Sequence, residues 1–354
     1  MNHRTAPRRW RLLAAALAAV VVGPAVPAAT SPAVTAAAPA SDASLTNLDH
    51  LDWLSVRVAP PAQEGHTTYR LDEEPEVGVL WTYAEPNPDG TFRHVGGGAY
   101  DPVTDTWSQG AFNADDVSRA AVVYLRHWQA TGSTASRDAA YEMLRGLTYL
   151  QTASGPNAGN VVLWMQPDGT LNPSAEPREL PDPSDSDASY WLARTIWALG
   201  EGYAAFDEAD PEFAEFLRTR LELAVSAVDR QVLDRYGEHL DIDGEPAPAW
   251  LIVDGADATA EAVLGLSAYV EAGGSAAART ALTRLSEGIA ELRGGDARTW
   301  PVGSVRPWAL SRSVWHAWGS QMPAALARAS ETLGDPALSE AAAGDSFTFD
   351  PWLL

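Results

Sequence analysis

Four short polar clusters stand out because each could place carboxylates or other reactive groups at the start of a helix. They are Asn113-Ala114-Asp115-Asp116, Ser184-Asp185-Ser186-Asp187, Asp254-Gly255-Ala256-Asp257 and Ser311-Arg312-Ser313-Val314-Trp315-His316. Paired carboxyl groups can serve as general acid and general base when their surroundings separate their proton affinities. Asp, Asn and Ser are also the preferred helix caps and complement the helix dipole. Taken singly, each cluster is therefore first a cap, and Asn113 with Asp116 has the spacing of a capping box.

Helical phase sorts the carboxylates. Asp116 stands four residues before Ala120 on an apolar stripe, which turns it inward, and Asp115 stands four before Arg119, which suggests a surface ion pair. Asp187 precedes Tyr190 and Trp191 by three and four, again inward. Asp257, Glu261 and Leu264 share one stripe. Aromatic residues fall near the same helix starts: Trp107, Tyr190, Trp191, Trp300, Trp308, Trp315 and Trp318. Flat rings beside carboxylates suit sugars, whose apolar faces stack while their hydroxyls take polar partners. Trp128 and Trp197, in mid-helix, read as core.

The elements that must position these groups are mostly helices. Val117, Ala120, Ala121, Tyr124, Leu125 and Trp128 keep the helical period, and Ala140, Met143, Leu144, Leu147 and Leu150 mark a second helix. Further helices are expected at about 188–206, 211–236, 257–270 and 276–292. A seventh ends near Leu333, with Pro323 at its start, and an eighth is opened by Asp335-Pro336. The third and fifth are apolar nearly all round and should be buried. The fourth and sixth carry a single apolar stripe and should be peripheral. Alternating inner and outer members are what an α/α toroid needs. All inner helices would then present their N-termini, and the polar clusters with them, on one rim.

Residues 45–112 have a different texture, rich in Gly and Pro. Asp89-Gly90 between β-prone runs suggests a hairpin. Residues 1–29 read as a secretory signal peptide: Arg4, Arg8, Arg9 and Arg11, then an apolar stretch over 12–22, then small residues, with cleavage after Ala28 or Ala29. Residues 30–44 form an Ala/Pro/Ser/Thr leader, and 113–354 the helical domain. The expected location is extracellular.

Composition narrows the chemistry. The 354-residue chain has no cysteine, which excludes disulfides, thiolate metal sites and a cysteine nucleophile. It has no lysine either, which excludes Schiff-base chemistry and phosphate loops of the G-K-[ST] type. A net charge of −23 disfavours nucleic acid and anionic lipid. No zinc-protease, nucleophile-elbow or dinucleotide motif occurs. Asp241-Ile242-Asp243-Gly244 is a turn rather than a calcium loop. No metal, cofactor, nucleic acid or membrane anchor of the mature chain is expected.

The alternating hairpins, the Asn-Ala-Asp-Asp helix start and the run Ala193-Arg194-Thr195-Ile196-Trp197-Ala198-Leu199-Gly200 resemble the six-hairpin glycosidase superfamily from about Asn113 onward. Six hairpins need twelve helices and eight are legible, so the toroid is expected to be short of the full ring. The resemblance implies a cleft at one rim, a carbohydrate substrate, and an acid and a base among Asp116, Asp187, Asp254, Asp257 and Glu261. The leading expectation is a glycoside hydrolase with Asp116 and Asp257 as the pair. Asp187, Tyr190, Trp191, Asp254, Glu261, Trp315, His316 and Trp318 would contact the sugar. The alternatives are a polysaccharide lyase, with His316 or Tyr190 as base, and a non-catalytic sugar-binding protein.

Overall fold

The computed structural model describes residues 46–172, 182–314 and 321–353. A short helix α1 (Asp49–Leu54) runs into small antiparallel ribbons: β1 (Ser55–Val58) with β2 (Val77–Leu80), β3 (Tyr83–Pro86) with β4 (Phe92–Val95), and β5 (Tyr100–Asp101) with β6 (Thr106–Trp107). The expected hairpin across Asp89-Gly90 is β3–β4. Val79 and Leu80, however, pair with β1 instead. β7 (Phe112–Asn113) leads directly into helix α2 (Ala114–Thr131), followed by α3 (Thr134–Leu150). β8 (Trp164–Met165) and β9 (Leu171–Asn172) complete a three-stranded sheet with β7.

Helices α4 (Tyr190–Phe206) and α5 (Pro211–Gln231) follow. The hairpin of β10 (His239–Ile242) and β11 (Glu245–Pro248) turns at Asp243-Gly244, as expected. Then come α6 (Ala256–Glu271), α7 (Ala276–Glu291), α8 (Met322–Leu333), α9 (Pro336–Gly344) and a last turn, α10 (Asp350–Leu353).

Among the described residues, α2–α3, α4–α5, α6–α7 and α8–α9 are four successive hairpins of an α/α toroid. α4 packs on α2 and α6, and α6 packs on α4 and α8, so these four helices form the inner layer; their partners form the outer one. The expected alternation holds for a plain reason. Every residue of α6 from Ala256 to Val270 is buried, whereas α7 buries one stripe through Leu282, Leu285 and Ile289. A helix without a polar face can only sit inside.

α4 and α6 touch backbone to backbone. A Cβ on Gly200 would stand 2.0 Å from the Gly265 carbonyl oxygen, and one on Gly265 would stand 2.2 Å from that of Ile196. Only glycine allows this approach, and it brings the side chains of α4 within reach of those of α6. The N-terminal ribbons are pinned to the helices by Arg145 of α3. It is fully buried and donates to the carbonyls of Tyr69, Glu74 and Glu76.

Candidate active site

The inner face of the arc encloses a cavity of about 500 Å³. α2 contributes Arg119, Val122, Val123 and Arg126; α4 contributes Tyr190, Arg194 and Trp197; α6 contributes Asp257, Ala258 and Glu261. Gln321 borders it just before α8. The volume falls in the range of small-ligand sites.

The acids on α6 are one helical turn apart and buried, Asp257 at 7% and Glu261 at 8% exposure. Burial pushes the Glu261 carboxyl up to about 7, against the pull of Arg194 and Arg119. Burial also raises Asp257, opposed by the Ala258 N–H, which donates to its Oδ1 at 2.8 Å, and by Arg194. Tyr190 is raised to about 12 by burial and by the negative charge of Asp257. A desolvated carboxyl resists ionisation, and one near neutrality can both give and take a proton.

Arg194 crosses between the helices. Its Nη1 lies 2.5 Å from Asp115 Oδ2, and its Nε lies 2.8 Å from Glu261 Oε2. Both contacts are ion pairs. The guanidinium also lies 5.4 Å from the centre of the Tyr190 ring. At the other end of the cavity Glu201 accepts from Arg126 at 3.2 Å, from Arg328 of α8 at 2.8 Å and from Trp197 Nε1 at 3.3 Å. Three inner helices are thereby tied across the concave face.

The helix carrying both acids starts unusually. Val253 and Asp254 both adopt left-handed backbone angles, with φ of 54° and 53°. For a β-branched residue such as Val253 this stores strain on the order of 1–3 kcal/mol. No side chain caps α6; the N–H groups of Ala256 and Asp257 donate to the carbonyl of Pro307 instead. A loop distant in sequence thus fixes where the acids point.

The expected site residues are distributed as follows. Tyr190, Asp257 and Glu261 meet in the cavity. Asp116 does not line it. Its N–H donates to Asn113 Oδ1 at 2.7 Å, its Oδ2 accepts from Asn113 Nδ2 at 2.7 Å, and Arg119 lies 3.4 Å away. The capping box pulls Asp116 back and gives Arg119 to it. Asp115, expected outside, faces Arg194 instead.

Asp187 is exposed, because α4 begins at Tyr190 behind the cap Ser189 and leaves Asp187 in the preceding turn. Trp191 is core: it is 4% exposed, and its Nε1 donates to the Val161 carbonyl at 2.7 Å. Asp254 lies off the cavity, its left-handed backbone directing its carbonyl to the Ala309 N–H. Trp315, His316 and Trp318 lie outside the described residues. The cluster at 311–314 forms a turn ahead of α8, which starts only at Met322.

Among the other aromatics, Trp107 packs on Tyr100, and Trp300 packs on Trp352 and Phe349. Trp308 stands beside the start of α6, where its backbone bridges to Gly255. Sequence reasoning missed Arg119, Arg126, Arg194 and Trp197 on the cavity wall. An arginine inside an otherwise apolar helix, as Arg194 is in α4, was the available signal, because such a charge needs buried partners.

No family model matches the chain, and no curated protein matches it. Solved structures with a similar backbone course include a sugar epimerase from a ruminal bacterium (TM-score 0.46, 15% identity, covering 70% of this chain and 61% of that one). They also include a cellobiose 2-epimerase from Bacillus thermoamylovorans (0.44, 10%, covering 69% and 64%). A D-mannose isomerase matches at 0.39 and 16% identity, again covering 69% and 64%. The chain spans less than two thirds of the length of these proteins. At such identities and TM-scores the likenesses have no bearing on activity. Among the described residues, the inner and outer members of successive hairpins are those of the expected α/α toroid.

Proposed function

We propose that the concave cavity is a carbohydrate site in which Glu261 moves a proton on a bound sugar. The observation that carries the reading is a buried glutamate near neutral proton affinity, one turn from a second raised carboxyl, in a cavity bordered by Tyr190 and Trp197. The rings supply apolar faces for stacking, and the arginines and acids supply partners for hydroxyls.

Both acids stand on one face of one helix, so they reach the same side of a ligand. This arrangement fits isomerisation of a reducing sugar better than cleavage between flanking acids. The Glu261 carboxylate takes the proton from the carbon next to the carbonyl while the carbonyl oxygen is protonated. The resulting enediol gives up its other hydroxyl proton and receives the carbon-bound proton on the adjacent carbon. Atoms balance, and no cofactor is consumed. Asp257 is positioned to pass the proton between the two oxygens. The proposal extends to location: the basic, apolar and small-residue pattern of 1–29 supports action outside the cytoplasm.

Glycoside hydrolysis is the second reading, favoured by the presence of two raised carboxyls in one cavity; Glu261 would protonate the leaving oxygen and Asp257 would activate water. The test is incubation with a panel of mono-, di- and polysaccharides in heavy water, followed by NMR and reducing-end assay. Isomerisation yields a product of unchanged composition, with deuterium entering next to the carbonyl. Hydrolysis yields new reducing ends, and a lyase yields an ultraviolet-absorbing product. Glu261→Gln should abolish turnover, and Asp187→Asn should retain it. If no sugar in the panel binds or reacts, the proposal is wrong.

A further inference from the structure

We propose that Asp115 is a positioning residue for the Glu261 proton, holding the Arg194 guanidinium toward α2 so that it cannot close a full ion pair with Glu261. This rests on the reading of Glu261 as the proton carrier.

Arg194 is divided between two carboxylates. Nη1 lies 2.5 Å from Asp115 Oδ2 and Nε lies 2.8 Å from Glu261 Oε2, so each carboxylate is met by one guanidinium nitrogen. All three side chains are largely buried, at 23%, 13% and 10% exposure. A guanidinium shared in this way offers Glu261 one nitrogen rather than a two-nitrogen fork. A fork that turned to Glu261 would stabilise the carboxylate, as bidentate pairs do, and make it a weaker base toward carbon.

The charged and titratable groups facing Glu261 come from three helices. Asp115 and Arg119 stand on α2, Tyr190 and Arg194 on α4, and Asp257 on α6. From the α8 side the cavity residue is Gln321, which is uncharged. Asp115 therefore acts twice on Glu261, by its own negative charge and by its hold on Arg194. Both effects favour the protonated form.

The test is a titration of the Glu261 side-chain carboxyl by carbon-13 NMR without sugar, its resonance assigned by its loss in Glu261→Gln. Asp115→Asn should lower the midpoint by about one pH unit or more, the usual effect of a nearby charge. Asp115→Glu should return it toward the wild-type value. Arg194→Gln should move it the other way, upward. A residue that merely supports the fold would not produce opposite movements. If Asp115→Asn leaves the midpoint in place or raises it, the proposal is overturned. If Asp115→Asn does not fold, the Arg194→Gln titration decides alone: an unchanged or lowered midpoint overturns the proposal. Because no sugar is present, this outcome is separate from the sugar assay. Opposite midpoint movements without turnover would remove only the reading of function.

Discussion

Replacing Glu261 with glutamine should make the protein more stable at alkaline pH while leaving it nearly unchanged at acidic pH. The carboxyl titrates at 4.5 in an exposed chain and is pushed up to about 7 in the fold by burial. A raised carboxyl binds its proton more tightly when folded. Its full contribution is therefore present below pH 4.5, falls as pH rises from 4.5 to about 7, and is gone above that. At about 1.4 kcal/mol per pH unit, the gap corresponds to roughly 3 kcal/mol. Glutamine has the shape of the protonated form and does not titrate, and Arg194 keeps its partner Asp115 in the variant. The difference in unfolding free energy between Glu261→Gln and wild type should thus grow by roughly 3 kcal/mol in the variant's favour between pH 4.5 and 8.5. Urea unfolding at the two pH values, followed by tryptophan fluorescence, measures it. Titrations of groups away from the cavity, including that of Asp345, raised to about 6 by burial, cancel in the difference. A difference that does not change with pH, or that changes in the opposite sense, would show that Arg194 keeps Glu261 ionised and would remove its role as proton carrier.

Gly200→Ala or Gly265→Ala should destabilise the protein by about 3 kcal/mol or more, read as a lower urea midpoint, because the new methyl group meets backbone of the facing helix at about 2 Å. Asn113→Ala should cost about 1 kcal/mol in the same assay, through loss of the α2 cap. Trp191→Phe should lower stability by about 1–3 kcal/mol by leaving the Val161 carbonyl without its donor, with sugar affinity by calorimetry unchanged. Trp197→Ala should weaken that affinity markedly, because this ring lines the cavity.

The helices and their layer were legible in the sequence because period, caps and breakers act within a few residues. Asn113 and Asp335 cap where they were expected, and the all-apolar run behind Asp257 is an inner helix. The inward stripe of Asp257 and Glu261 was legible for the same reason, since phase along one helix is fixed by its own geometry. Near helix ends that rule weakened. A two-residue difference in the start of α4 left the cap to Ser189 and Asp187 in the preceding turn, and the capping box exchanged the partners of Asp115 and Asp116. What the sequence could not decide is which charge meets which. Arg194 draws its partners from α2 and α6, and Gly200 and Gly265 bring the α6 partner near by letting α4 and α6 close to backbone contact. The same approach buries Glu261 beside Arg194. Its proton affinity therefore follows chiefly from the packing of helices, which buries it, and less from its chain neighbour Asp257.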